Sequence, residues 1–276
     1  WVLHAYRQLE QFYSNHAPTI LIGRDTRISG TLIESAMVAG FLSYGANVKL
    51  LGVIPTPGVA YLTRKLQADA SVVISASHNT YEFNGIKYFS NKGMKIPDDV
   101  EEEIEEVMDS GKLDELSAVS EKIGVSEVST DLLDEYVYFF RKNFDDNIAR
   151  LNRPDFKVVI DTANGATYQV ADKVFTTLGI NHVIINNKPD GININAGCGS
   201  THLEMLKEYV VKNKMSLGIA YDGDGDRCLA VDENGEEIDG DKLLAIISQY
   251  LRKQGKLAKD TIVATVMSNL GLNKFA

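Results

Sequence analysis

The stretch "TILIGRDTRISG", residues 19–30, is an apolar strand running into a polar turn that carries glycine. A helical stretch follows, "TLIESAMVAGFLSYGA" (31–46), and then a second apolar strand, "NVKLLGVI" (47–54). The plan returns at 157–186 as "KVVIDTANGAT", "YQVADKVFTTLGI" and "NHVIIN". A third opening, "TIVATVMSNLG", stands at 261–271. Strands alternating with helices of about a dozen residues make parallel-sheet α/β units. Self-similarity on a scale above ~100 residues means duplicated domains, not a solenoid of short repeats.

The chain has 276 residues, room for about two domains at ~100–200 residues each. A first unit is expected over 1–150 and a second over 151–259. Residues 260–276 begin a third. The seam follows the helical "DLLDEYVYFFRKNF" (131–144), where "LNRPDF" (151–156) brings proline and polar residues. The acidic run "DDVEEEIEEVMDSG" (98–111) reads as an amphipathic surface helix with a solvated face. The chain opens at Trp1 without Met and stops inside the third repeat, so a piece of a longer protein is expected.

Charge and composition exclude some classes of function. There are 28 basic and 38 acidic residues, a net charge of −10. That argues against nucleic acid or an anionic membrane as the main partner. It leaves open an anionic small ligand in a locally basic cleft. No stretch has the ~18 uncharged apolar residues of a membrane span, and no signal peptide is visible. Cys198 and Cys228 have no CxxC spacing and read as free thiols in a reducing compartment, the cytoplasm.

The second stretch that demands an explanation is "YDGDGDRC" (221–228). Asp222, Asp224 and Asp226 crowd three carboxylates into five residues. At about 4 Å and an effective dielectric near 20, each like-charged pair costs roughly 4 kcal/mol. "MSLGIA" before and "CLAVD" after read as strands, and "ENGE" (233–236) as a hairpin turn, so the aspartates sit on an inter-strand loop. A plain polar turn accounts for one aspartate but not comfortably for three. An EF-hand fails, because Arg227 stands where its loop needs glycine and strands replace its helices. A Mg²⁺ site with incomplete protein ligation fits best, leaving room for a phosphate oxygen. Arg227 beside it also suits a phosphate.

In "SVVISASHNTYEFNGIKYFS" (71–90) an apolar strand ends at Ser77, His78 and Asn79, and a polar loop leads to "GIKYF". A serine at the carboxyl end of a parallel strand is where α/β sheets place ligands. Most such triplets are turns with a serine cap, His78 is equally a loop histidine, and Lys87 is equally a surface lysine. Neither a GxSxG elbow nor a GxxxxGK[ST] loop is present, which weakens a hydrolase reading and excludes a P-loop enzyme.

Together "SASHNT" (75–80) and "DGDGDR" (222–227) resemble the phosphoserine and metal loops of the α-D-phosphohexomutase superfamily. "GRDTRISG" (23–30), "PTPGVAYLTR" (55–64), "DTANGAT" (161–167) and "GININAGCGSTHLE" (191–204) extend the match over essentially the whole chain. The later details look most like the bacterial glucosamine-phosphate branch. Thr80 stands where the family usually has proline. Three family elements are absent: an early "DGIRG" segment, a sugar-recognition loop of the third domain, and a fourth-domain phosphate loop.

The resemblance implies repeated three-layer α/β domains with mixed, mainly parallel sheets. It implies a phosphosugar mutase interconverting glucosamine 6-phosphate and glucosamine 1-phosphate, with Ser77 as phosphoryl carrier. Mannose or glucose phosphates are the sibling alternative. An isolated module that binds Mg²⁺ or phosphosugar without turnover is the alternative of another class. Asp222, Asp224, Asp226 and phosphorylated Ser77 would hold Mg²⁺. Lys87 would serve proton transfer or charge balance, His78 would orient the loop, and Arg227 would bind phosphate. Arg24 would brace the same site or pair with an aspartate of its own turn. A hexose or hexosamine 1,6-bisphosphate is the implied activator, and a homodimer the family expectation.

Overall fold

The computed structural model describes residues 17–109, 120–144 and 153–276. Strand β1 (Thr19–Arg24) is the centre of a five-stranded sheet. Parallel neighbours β2 (Asn47–Val53) and β3 (Ala70–Ile74) flank it. Antiparallel β4 (Ile86–Ser90) lies outside β3, and the short parallel β5 (Ser126–Val128) lies outside β2. The second sheet repeats this around β6 (Lys157–Asp161). Its parallel neighbours are β7 (Asn181–Ile185) and β8 (Leu217–Tyr221), with antiparallel β9 (Cys228–Asp232) outside β8 and β10 (Glu237–Ile238) beyond it. The order β4-β3-β1-β2 thus matches β9-β8-β6-β7. The β3–β4 loop, which holds Ser77, and the β8–β9 loop, which holds the three aspartates, are equivalent loops of a duplicated unit.

Strand alternation builds three layers in each unit. In β1, Leu21 points to one face, while Ile20 and Ile22 point to the other. The Leu21 face is covered by helix α2 (Thr56–Lys65), through Val59 and Leu62. The opposite face is covered by α1 (Gly30–Ser43), through Phe41, Ile33 and Met37. Pro57 in the first turn of α2 costs that helix no bond, since those N–H groups have no intrahelical partner. Helix α3 (Asp98–Asp109) is amphipathic as expected: it buries Ile104 and turns Glu102, Glu105 and Glu106 to solvent. In the second unit α5 (Val170–Thr177) lies over Val158 and Ile160. Helix α6 (Glu204–Asn213) lies over Val159 on the other face.

The two units share a core. Val170 and Val174 of α5 join the cluster that Leu21, Leu51 and Ile54 form with Leu133, Tyr136 and Val137 of α4 (Leu132–Asn143). Each such side chain taken out of water contributes about 1.5–3 kcal/mol, so packing across this joint sets how the two equivalent loops meet. Residues 145–152 of the expected seam lie outside the described residues. The "ENGE" hairpin forms as expected, with Asp232 Oδ1 accepting from the amides of Asn234 and Glu236 at 2.9 and 2.8 Å. Both cysteines are free, Cys198 buried and Cys228 exposed.

The third repeat departs from expectation. "TIVAT" (261–265) forms no strand, and Val263, Val266 and Met267 are exposed. A strand needs a neighbour for its N–H and C=O groups, and none pairs with this segment among the described residues. Around it lie helix α7 (Gly240–Lys253), capped by Asp239 through the Lys242 amide at 2.8 Å, and the short α8 (Leu270–Phe275), which packs against α7.

Candidate active site

The serine loop is held in a conformation it would not choose alone. Ser77 has φ +53°, a left-handed backbone that costs a non-glycine residue about 1–3 kcal/mol unless its surroundings enforce it. The enforcement starts at β1. Asp25, fully buried, accepts from Ser75 Oγ at 2.6 Å and from Arg27 Nε at 2.9 Å. Ser75 Oγ in turn accepts from the Ser77 amide at 2.9 Å. Arg27 is itself only 1% exposed. Its Nη2 donates to the carbonyls of Ser77 and Asn79 at 3.0 and 2.8 Å, and its Nη1 to those of Phe83, at 2.9 Å, and Thr80. The rigid guanidinium fork thereby fixes both ends of the loop. Thr80, where proline was expected, is tied down through its carbonyl.

The aspartate loop meets it from the other unit. Gly225 turns the chain at φ +70°. Gly223 passes so close that a Cβ there would lie 2.6 Å from Ser77 O. Ser77 Oγ donates to Asp222 Oδ2 at 2.7 Å, and Asp222 Oδ1 accepts from the Arg227 amide at 3.1 Å. Lys87 Nζ, reaching over from β4, donates to Asp224 Oδ2 at 2.6 Å and lies 3.5 Å from Asp226 Oδ2. Thr56 Oγ1, at the start of α2, also donates to Asp224 Oδ2, and its amide donates to Asp224 O at 2.9 Å. Arg227 Nη1 donates to His78 Nδ1 at 3.0 Å, and Arg227 Nε stands 4.0 Å from Asp226 Oδ1. The half-exposed Arg227 guanidinium thereby connects the two loops.

Asp222 and Asp224 are buried and Asp226 is exposed, yet one oxygen of each lies within 4.8 Å of the others. Burial, with Asp224 and Asp226 adding to it, pushes the Asp222 carboxyl up to about 6, against the pull of the Ser77 hydrogen bond. Burial would raise Asp224 too, but the hydrogen bonds from Lys87 and Thr56 outweigh it and hold Asp224 low. For Lys87, burial is outweighed by the same contact, so its ammonium is held charged. Asp224 Oδ1 is buried with no hydrogen-bond partner. Hard oxygen donors, close together, with one buried lone-pair oxygen to spare, fit a divalent cation.

Seven of the eight site residues expected from sequence therefore come together: Ser77, His78, Lys87, Asp222, Asp224, Asp226 and Arg227. Arg24 does not join them. Its side chain lies over α1, where Gly30 leaves room, and pairs with Glu34 at 3.3 Å. Its neighbour Arg27 takes both roles proposed for it, the pairing with Asp25 and the bracing of the serine loop. Sequence reading also passed over Thr56 and Asn195. All three residues lie in stretches already singled out, "GRDTRISG", "PTPGVAYLTR" and "GININAGCGSTHLE", but their partners are remote in sequence.

Models of the phosphoglucomutase/phosphomannomutase alpha/beta/alpha domains I, II and III match residues 3–115, 134–235 and 239–276. The chain belongs to the phosphoglucomutase/phosphomannomutase family. It is 53% identical over 264 residues to the phosphoglucosamine mutase of Acetivibrio thermocellus, covering 95% of this chain and 58% of that one. It is 49% identical over 263 residues to the phosphoglucosamine mutase of Ruminiclostridium cellulolyticum, with the same two coverages. The chain thus spans little more than half the length of the curated relatives it matches. A phosphoglucomutase/phosphomannomutase family protein of Burkholderia thailandensis shares the fold, with a TM-score of 0.73 at 23% identity over 92% of this chain and 54% of that one. So does the phosphoglucomutase parafusin of Paramecium, with a TM-score of 0.69 at 19% identity over 90% of this chain and 51% of that one. Among the described residues no helix is long and apolar enough to cross a membrane.

Proposed function

We propose that this chain supplies the phosphoryl-carrying part of a phosphosugar mutase acting on glucosamine 6-phosphate and glucosamine 1-phosphate. The observation that carries the reading is the 2.7 Å hydrogen bond from Ser77 Oγ to Asp222 Oδ2. It sets a nucleophilic hydroxyl on the edge of a divalent-cation site. A serine hydroxyl is a weak nucleophile, so the working form carries phosphate on Ser77. That phosphoryl passes to the free hydroxyl of the sugar phosphate. The Ser77 Oγ–P bond breaks, a sugar O–P bond forms, and the hydroxyl proton is left to a basic group or water. The resulting bisphosphate turns over and returns its other phosphoryl to Ser77.

Phosphoryl transfer needs positioning and charge stabilisation more than covalent chemistry. Asp222, Asp224 and Asp226, with the phosphate on Ser77, would hold Mg²⁺, which supplies positive charge against the transferring group. Lys87, kept charged at the rim of the triad, gives a second cation and a proton donor for the departing serine oxygen. Arg227 presents its guanidinium to a phosphate, and His78 orients it. The resemblance to phosphoglucosamine mutases at 49–53% identity supports glucosamine over mannose or glucose. The same reading carries a 1,6-bisphosphate activator, a cytoplasmic setting and a homodimer.

The test is to incubate the intact protein with a hexose 1,6-bisphosphate and Mg²⁺ and map the peptides by mass. Phosphate on Ser77, and not on Ser75, is the expected result; an unmodified Ser77 sinks the mechanism. Glucosamine, glucose and mannose 6-phosphates offered to the same protein then rank the substrates. Because the chain spans 58% of its relatives' length, a second reading applies to the chain alone. It would bind Mg²⁺ or phosphosugar without turnover, which calorimetry on the chain measures.

A further inference from the structure

Asn195 belongs to the second unit, yet its amide is spent on the first. Its Nδ2 donates to Ser77 O at 2.9 Å and to Asn79 O at 2.8 Å. The same two carbonyls accept from Arg27 Nη2 at 3.0 and 2.8 Å. Each carbonyl therefore uses both lone pairs, one on a donor from its own unit and one on a donor from the other. Asn195 is 2% exposed, and its Oδ1 is buried without a hydrogen-bond partner, so Nδ2 alone ties the side chain. Its backbone is left-handed at φ +57°, which asparagine tolerates better than most residues. Its backbone N–H donates to Ala163 O at 2.9 Å, in the turn after β6. Gly223 of the aspartate loop packs directly on it, since a Cβ there would lie 2.6 Å from Asn195 Nδ2. One side chain is thus wedged between the serine loop and the aspartate loop.

The hold by Arg27 comes from within the unit that carries Ser77, and it does not report where the other unit stands. The hold by Asn195 does. We propose that Asn195 is a positioning residue that makes the aim of Ser77 depend on the docking of the two units. Without its two hydrogen bonds Arg27 still retains the loop, but the serine is no longer registered against Asp222. The proposal rests on Ser77 being the phosphoryl carrier.

Two variants of the intact protein test it. Asn195→Asp keeps the size and the tolerance for positive φ but sets an acceptor against two carbonyls. Asn195→Gly accepts the same φ and removes the amide altogether. The readouts are the rate and KM of Ser77 phosphorylation by a hexose 1,6-bisphosphate, Mn²⁺ affinity by calorimetry, and Tm. Misaligned reactants lose on the order of 10–100-fold in rate, so both variants should lose that in rate while KM and Mn²⁺ affinity stay put. Rates close to those of the unaltered protein overturn the proposal. So does a loss of rate, metal affinity and Tm together with a raised KM, or failure of both variants to fold, since either makes Asn195 a strut of the interface. Failure of the unaltered protein to phosphorylate Ser77 is a different result. It removes the mutase reading, and this proposal with it, before any variant is made.

Discussion

Ser77 Oγ donates to Asp222 Oδ2 at 2.7 Å although 145 residues separate the two. The contact joins the β3–β4 loop of one sheet to the β8–β9 loop of the other, the same position in two copies of one topology. A hydroxyl of modest reactivity and a carboxylate of raised pKa become useful only by meeting. Ser77→Gly tests the hydroxyl more cleanly than Ser77→Ala, because glycine accepts φ +53° without strain. We expect Ser77→Gly to lower turnover by at least ~10³-fold, as loss of a nucleophile does. Divalent-ion affinity, measured by calorimetry against the unphosphorylated parent, should be retained, since the three aspartates are unchanged.

Metal binding should weaken in acid. Burial pushes Asp222 up to about 6, so in the metal-free protein this carboxyl takes up a proton as pH falls through that value. A ligand must be deprotonated to bind a metal. Affinity should therefore hold between pH 7 and 8 and fall about tenfold per pH unit below pH 6. Calorimetric Mn²⁺ titrations at pH 7.5, 6 and 5 measure this. Asp224→Asn, which neutralises the group carrying the unpartnered buried oxygen, should weaken binding at every pH.

Arg27 should matter for stability more than Arg24. Arg27 and Asp25 form an ion pair with both side chains fully buried, whereas the Arg24–Glu34 pair is partly exposed. Removing one member of a buried pair leaves an uncompensated charge and costs about 3–5 kcal/mol. Partly exposed pairs are worth on the order of 1 kcal/mol or less. Urea denaturation of Arg27→Met and Arg24→Met should show that difference. Arg27→Met also takes a donor from four carbonyls of the serine loop, of which those of Ser77 and Asn79 keep their bonds to Asn195, so its activity should fall further than its stability explains.

Gly223→Ala should disturb the site without unfolding the protein. The added Cβ would meet Ser77 O and Asn195 Nδ2 at 2.6 Å and Ile194 Cδ1 at 2.9 Å. Overpacking of this kind costs about 1–3 kcal/mol, and the exposed serine loop can yield more easily than the sheets. A small drop in Tm together with a large drop in Ser77 phosphorylation is the expected pattern. A variant with unaltered phosphorylation would show that the loops are not in register through this contact.

Much of the molecule was legible from sequence because much of its information is local. Apolar runs such as "TILIG" and "KVVI", closed by polar glycine-bearing turns, mark strands and their carboxyl ends without reference to distant residues. Carboxylates at alternate positions, Asp222, Asp224 and Asp226, state their need for a cation through charge alone. The repeat of the pattern disclosed the duplication. What sequence could not settle was which long side chain reaches which loop. Arg24 and Arg27 are both plausible in "GRDTR", and only the path of the chain past α1 sends one to Glu34 and buries the other beneath Ser77. Thr56 and Asn195 matter through partners 168 and 118 residues away. The apolar "TIVAT" has the composition of a strand, but a strand exists only where a neighbour takes its hydrogen bonds. Local chemistry determined the loops and their charges. The docking of two sheets through Val170, Val174 and Tyr136 decided that a serine would face three aspartates, because packing alone sets distances between groups the chain keeps far apart.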